Sequence, residues 1–123
     1  MLGLHLTADL HACLPASPLM TEPAALRRFC LQAVHDAELR AVGELFHPFP
    51  HPGGVTGMVL LAESHLAVHT WPELGSVTLD VYVCNLHGDN SARAARLLAA
   101  LEAGFDARHA EHHRVQRGAL RGP

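Results

Sequence analysis

Lysine is absent from all 123 residues. A pyridoxal-phosphate enzyme holds its cofactor through a lysine Schiff base, so that chemistry is excluded in its usual form and any electron sink must be another carbonyl. The nine basic residues are all arginines, scattered without a dense block, and the formal net charge is -3. Nucleic-acid binding therefore has little support. No apolar run approaches the ~18 residues a bilayer span needs. The N-terminus also lacks the basic-then-apolar order of a signal peptide, so the expectation is a cytoplasmic protein without a membrane partner. Cysteine is scarce: Cys13, Cys30 and Cys84 are odd in number and widely spaced. They fit neither a disulfide framework nor paired metal hooks, and free thiols are expected.

What is present is enough for one packed core. Hydrophobic residues make up 49% and charged residues 17% of the chain, which predicts a single domain over 1–123. Leu2, Leu4, Leu6, Ala8 and Leu10 alternate with polar residues, the period of a half-buried strand. Thr21 is the expected cap of a first helix, with Glu22 and Pro23 in its first turn and Leu26, Phe29, Cys30, Ala33 and Val34 along its apolar stripe, ending near Glu38 to Arg40. Further strands are predicted over 41–49, 55–62, 64–71 and 76–84, with a Pro/Gly loop from Pro48 to Gly54 and a turn at Pro72 to Gly75. Asp89 or Asn90 is the expected cap of a second helix that stops at Gly104; a last strand follows over 105–115, and the end from Gly118 onward is expected to fray. The fold class is α+β, a two-layer sandwich with two main helices on one face of an antiparallel sheet. Two helices cannot cover both faces of so wide a sheet, so a homodimer is expected through the open one.

Eleven histidines are an unusually large share, and the densest polar constellation is Glu63-Ser64-His65 through His69-Thr70-Trp71-Pro72-Glu73, followed by Cys84. By parity His65, Ala67, His69 and Trp71 share a face, and a serine, a histidine and a thiol could converge there. Three readings compete. On a strand His65 and His69 stand ~13 Å apart, too far to share an ion, so no metal is expected there. A Ser-His hydrolase lacks the GxSxG elbow and an orienting acid. The third reading gives the residues no chemistry at all: a turn serine, two solvent-facing histidines and a cysteine ending a strand.

The strings Glu63-Ser64-His65, His69-Thr70-Trp71-Pro72-Glu73 and Asp80-Val81-Tyr82-Val83-Cys84 resemble the prokaryotic S-adenosylmethionine decarboxylase proenzymes, a family of pyruvoyl enzymes. The likeness runs from His5-Leu6 through Phe46-His47 and Gly54-Val55-Thr56-Gly57 to the helix after Cys84. It implies self-cleavage between Glu63 and Ser64 into a beta chain, 1–63, and an alpha chain, 64–123. The serine hydroxyl attacks the preceding carbonyl, the amide becomes an ester, and elimination with hydrolysis leaves a pyruvoyl group from Ser64 as the cofactor. That ketone would take the amine of S-adenosylmethionine and accept electrons as CO2 departs, yielding the aminopropyl donor for spermidine synthesis.

The resemblance also implies roles. His69 removes the serine alpha proton, Cys84 returns a proton to the substrate carbon, and Thr56 supplies a hydroxyl that aids processing. Glu73 is a candidate for the ribose hydroxyls, and Phe49 for stacking on adenine or sulfonium. The chain departs from the family pattern at Asp9, where glutamate is more familiar, at Asn85, where glycine is usual, and at Ser76, where tyrosine commonly stands. These changes leave processing intact but blur the substrate, so arginine or ornithine for the same machinery is an alternative; a second, of another class, is an unprocessed homologue acting as a binding or regulatory subunit.

Overall fold

The computed structural model describes residues 2–118. Its elements are β1 (Gly3–His11), α1 (Pro18–Thr21), α2 (Pro23–Asp36), β2 (Ala41–Pro48), β3 (Val55–Leu61), β4 (Ser64–Trp71), β5 (Ser76–Cys84), α3 (Ser91–Phe105) and β6 (His109–Arg117), with a 3-10 turn at Pro72–Leu74 before β5. The six strands form one antiparallel sheet in the order β2-β3-β4-β5-β1-β6. The two long helices pack on one face, as the expected two-layer α+β architecture requires. No helix among the described residues is long and apolar enough to cross a membrane.

Period two directs one side of each strand to the helices. Leu4, Leu6, Ala8 and Leu10 of β1, Leu66 and Val68 of β4, and Val77, Leu79, Val81 and Val83 of β5 are all buried. They meet Leu26, Cys30, Ala33 and Val34 of α2 and Ala94, Leu97, Leu98, Leu101 and Phe105 of α3, which recur at helical spacing. Each fully buried leucine or valine contributes about 1.5–3 kcal/mol relative to exposure. All three thiols are free and buried; Cys30 packs in the core as expected, and burial pushes its pKa up to about 12.

Several boundaries differ from the sequence expectation. Thr21 does not cap the first long helix: it ends the short α1, which Ser17 caps by accepting the Leu19 N–H at 3.3 Å. Pro23 then opens α2, with Glu22 at its N-cap. Proline at a first helical position starts a helix without losing a bond, and here Pro18 and Pro23 each do so. Helix α2 stops at Asp36, short of Glu38, because Glu38 adopts φ +62° and turns the chain out. Gly104 does not stop α3, which continues to Phe105 and is ended by Asp106 at φ +48°. Gly104 serves packing instead, since a Cβ there would collide with the Phe29 ring. The last strand begins at His109, later than expected, and of the tail expected to fray, residues 119–123 lie outside the described residues.

The second face of the sheet carries no helix. Across it the register aligns His5, Tyr82, His65 and Leu60 in one row, Asp80, Ala67, Met58 and Leu45 in the next, and Asp9, Thr78, His69, Thr56 and His47 in a third. Leu45, Met58 and Leu60 lie open on that face, 74%, 42% and 49% exposed, and line a cavity of 260 Å³ with Glu44, His47 and Thr56.

Candidate active site

Strands β3 and β4 are joined by Ala62 and Glu63 alone, so Leu61 pairs with Ser64 and the register places Thr56 opposite His69. Glu63 takes φ +60°, a conformation costing a residue with a Cβ of order 1–3 kcal/mol unless its surroundings impose it. The neighbouring Ala62 N–H is held by the Arg40 carbonyl at 3.2 Å. The strained residue immediately precedes Ser64.

Ser64 opens β4 and Cys84 closes β5, and the two meet: the Ser64 hydroxyl oxygen accepts the Cys84 backbone N–H at 3.1 Å. Glu63, Ser64, His65, Tyr82 and Arg117 border a cavity of 370 Å³. His65 stacks on Tyr82 with ring centres 5.6 Å apart, and the Arg117 guanidinium lies 5.9 Å from the centre of the Tyr82 ring. His5 stands edge-on to both rings and its Nε2 is 3.1 Å from Asp80 Oδ1. Partial burial lowers the His65 pKa, the neighbouring His5 lowers it further, and Asp80 acts the other way. His65 is therefore a neutral imidazole at pH 7, a donor or acceptor rather than a charge.

A second group lies further down the same strand. Thr56 Oγ1 and His69 Nδ1 are 3.1 Å apart, and the His69 ring centre is 6.0 Å from that of Trp71. Phe49, Thr56, His69, Trp71 and Glu73 border a cavity of 350 Å³ whose floor includes Gly53 and Gly54. Buried Thr70 braces it, accepting the Val55 N–H and donating to the Met20 carbonyl, both at 2.8 Å. Gly54 allows this close approach, because a Cβ there would overlap the Thr70 carbonyl.

The residues singled out from the sequence thus form two groups, Glu63, Ser64 and Cys84 in one and Phe49, Thr56, His69 and Glu73 in the other. They do not converge within one chain: His69 lies five strand positions beyond Ser64, about 16 Å. Sequence parity put His5, Asp80 and Tyr82 on the open side of their strands but offered no pairing, so the array beside Ser64 went unassigned. Trp71 shared the parity of His69 and was likewise given no role.

Residues 4–118 match the family model described as S-adenosylmethionine decarboxylase. The chain belongs to the S-adenosylmethionine decarboxylase family. The S-adenosylmethionine decarboxylase proenzyme of Archaeoglobus fulgidus is 41% identical over 91 residues, 74% of this chain and 76% of that protein. The protein of the same name from a Hydrogenobaculum species is 35% identical over 119 residues, 97% of this chain and 84% of that protein. In structure, the adenosylmethionine decarboxylase of Aquifex aeolicus superposes with a TM-score of 0.86 at 32% identity, covering 99% of this chain and 95% of that one.

Proposed function

We propose that this chain decarboxylates S-adenosylmethionine after cutting itself between Glu63 and Ser64 and converting residue 64 to a pyruvoyl group. The observation that carries the reading is the corner at which a strained Glu63 precedes a serine whose hydroxyl oxygen is held by the Cys84 N–H. The word proenzyme in the names of the relatives supports maturation by cleavage. The residues present fit a pyruvoyl group: residue 64 borders an open cavity, and the Cys84 backbone N–H reaches its oxygen. With no lysine in the chain, the group would supply the missing carbonyl, a ketone that takes the substrate amine and accepts the electrons released with CO2.

The chain's own residues do the rest. The Cys84 N–H orients the Ser64 oxygen, which attacks the Glu63 carbonyl and converts the amide to an ester. With Nδ1–H donating to Thr56 Oγ1, His69 presents Nε2 as the base that removes the residue 64 alpha proton; the Glu63 carboxylate leaves, and water then displaces the residue 64 nitrogen as ammonia to give the ketone. In turnover the Cys84 thiol returns a proton to the substrate carbon. Phe49 and Trp71 offer aromatic faces to adenine and sulfonium, and Glu73 accepts from ribose hydroxyls. Beside these rings stands the Glu73 carboxylate, an acceptor for ribose hydroxyls that arginine and ornithine lack, and this favours the nucleoside substrate.

A span of about 16 Å on one strand prevents His69 from reaching the Ser64 of its own chain. The active unit in this reading is a homodimer in which the open sheet faces meet, so that Thr56 and His69 of one copy complete the Ser64 and Cys84 corner of the other. The exposed Leu45, Met58 and Leu60 supply apolar surface for that contact. Intact-mass measurement tests the reading together with CO2 release from S-adenosylmethionine, arginine and ornithine. Two fragments and release from S-adenosylmethionine alone are expected; an uncut chain that still releases CO2 would refute it.

A further inference from the structure

We propose, on the reading that residue 64 becomes the ketone that takes the substrate amine, that Arg117 binds the substrate carboxylate and holds it beside residue 64 until it leaves as CO2. In an amino acid the amine and the carboxylate are on the same carbon. With the amine held at residue 64, the carboxylate must therefore lie in the same cavity. Glu63, Ser64, His65, Tyr82 and Arg117 border that cavity. Glu63 is an anion and His65 is neutral at pH 7, so Arg117 is the fixed cation of the wall.

The sheet has little else to offer a carboxylate. The chain contains no lysine, and Arg114 and Arg117 are the only arginines in the six strands. Arg114 pairs with buried Leu6 and stands on the helix side. Arg117 pairs with Gly3, and Gly3 with Cys84 on its other edge, so the three form one row on the open face. Arg117 and Cys84 are two strand spacings apart, about 10 Å. Between them stands a glycine, and the Tyr82 ring occupies the space that a Cβ there would need.

The Arg117 guanidinium lies 5.9 Å from the centre of that ring. Stacking of this kind orients the planar fork without using its N–H donors. Nor are they used elsewhere: the guanidinium has no ion pair or side-chain hydrogen bond among the described residues, and the Glu63 carboxylate turns to His87 at 3.8 Å. An oriented fork with free donors matches a carboxylate through two parallel hydrogen bonds.

The test is steady-state kinetics on the matured chain, with S-adenosylmethionine as substrate and its decarboxylated amine as competitive inhibitor. The amine keeps every group of the substrate except the carboxylate. Arg117→Met removes the charge and keeps the apolar stem, so KM is expected to rise about tenfold or more, the loss of a charge-assisted pair. Inhibition by the amine is expected to stay within about twofold of wild type, because it makes no such pair. The negative charge leaves the carboxylate as CO2 departs, so the contact belongs to the ground state and kcat is not expected to fall. Arg117→Lys keeps the charge without the fork and is expected to lie between, while Arg114→Met, on the other face, should match wild type. All three variants are expected to be cut and dimeric. An unchanged KM in cut Arg117→Met, equal weakening of substrate and amine, or loss of cleavage or of the dimer in the Arg117 variants would each overturn the role of Arg117. A wild-type chain that stays whole would instead overturn the reading of residue 64, and the carboxylate site with it.

Discussion

Two variants that are each unable to mature should mature when paired. Ser64→Ala lacks the nucleophile and His69→Ala lacks the base, so either homodimer has two defective corners. A mixed dimer joins the Ser64 and Cys84 of the His69→Ala chain to the Thr56 and His69 of the Ser64→Ala chain, and that one corner is complete. The separation of about 16 Å along β4 is what forces this division, since no side-chain rotation spans it. Random pairing of equal amounts gives homodimers and mixed dimers in the ratio 1:2:1. Half of the His69→Ala chains, a quarter of all chains, should therefore be cut. The assay is co-expression with two different affinity tags, sequential purification of the mixed dimer, and intact-mass measurement. In purified mixed dimers every His69→Ala chain should be cut and every Ser64→Ala chain whole. His69→Ala chains that stay whole in those dimers would refute the shared corner, and cutting of His69→Ala by itself would remove His69 from processing.

Other perturbations separate the remaining roles. Cys84→Ala keeps the backbone N–H that holds the Ser64 oxygen, so it should still cleave while kcat falls by about 10²–10⁴, the usual loss of a proton donor; an uncut Cys84→Ala chain would move the thiol to the processing step. Thr70→Val deprives the buried Val55 N–H of its acceptor and the Met20 carbonyl of its donor, and should lower stability by about 1–3 kcal/mol in denaturant unfolding; an unchanged midpoint would show that the brace is dispensable. His65 titrates below its ordinary value in the folded chain, so the unfolded chain binds more protons in that range and stability falls as pH drops through it. His65→Gln should flatten the acid side of a melting-temperature profile, and an unchanged slope would count against the lowered pKa.

Much of the fold was legible because alternation is a local property. Leu4 to Leu10 and Val77 to Val83 declare an inward side whatever their neighbours do, and the helical stripes of α2 and α3 are equally self-contained. What failed were ends set by contacts distant in sequence. Gly104 reads as a stop by itself, and only the Phe29 ring pressed against it explains why the helix runs on. Thr21 reads as a cap until Ser17 and the two prolines divide the segment into two helices. At the site, the motif names candidate residues but not their grouping, which depends on register. The two-residue connection at Ala62 and Glu63 sets that register, and from it Thr56 must face His69. The spacing argument that denies His65 and His69 a common ion also separates Ser64 from His69, and it can be read from the sequence alone.

The strand order would let the chain survive the proposed scission. Cutting after Glu63 leaves β1, β2 and β3 in one fragment and β4, β5 and β6 in the other. In the sheet these alternate, so the β3–β4, β5–β1 and β1–β6 ladders each join the two fragments, while only β2–β3 and β4–β5 lie within one. The helices interleave as well, α2 from the first fragment packing against α3 from the second over a common core. The break removes a single connection at an exposed hairpin and leaves the ladders and the apolar contacts in place. In that proposal residue 64 becomes a chain end on a strand that is paired on both sides. A site built on a newly made chain end needs that end held still, and the interleaved sheet holds it.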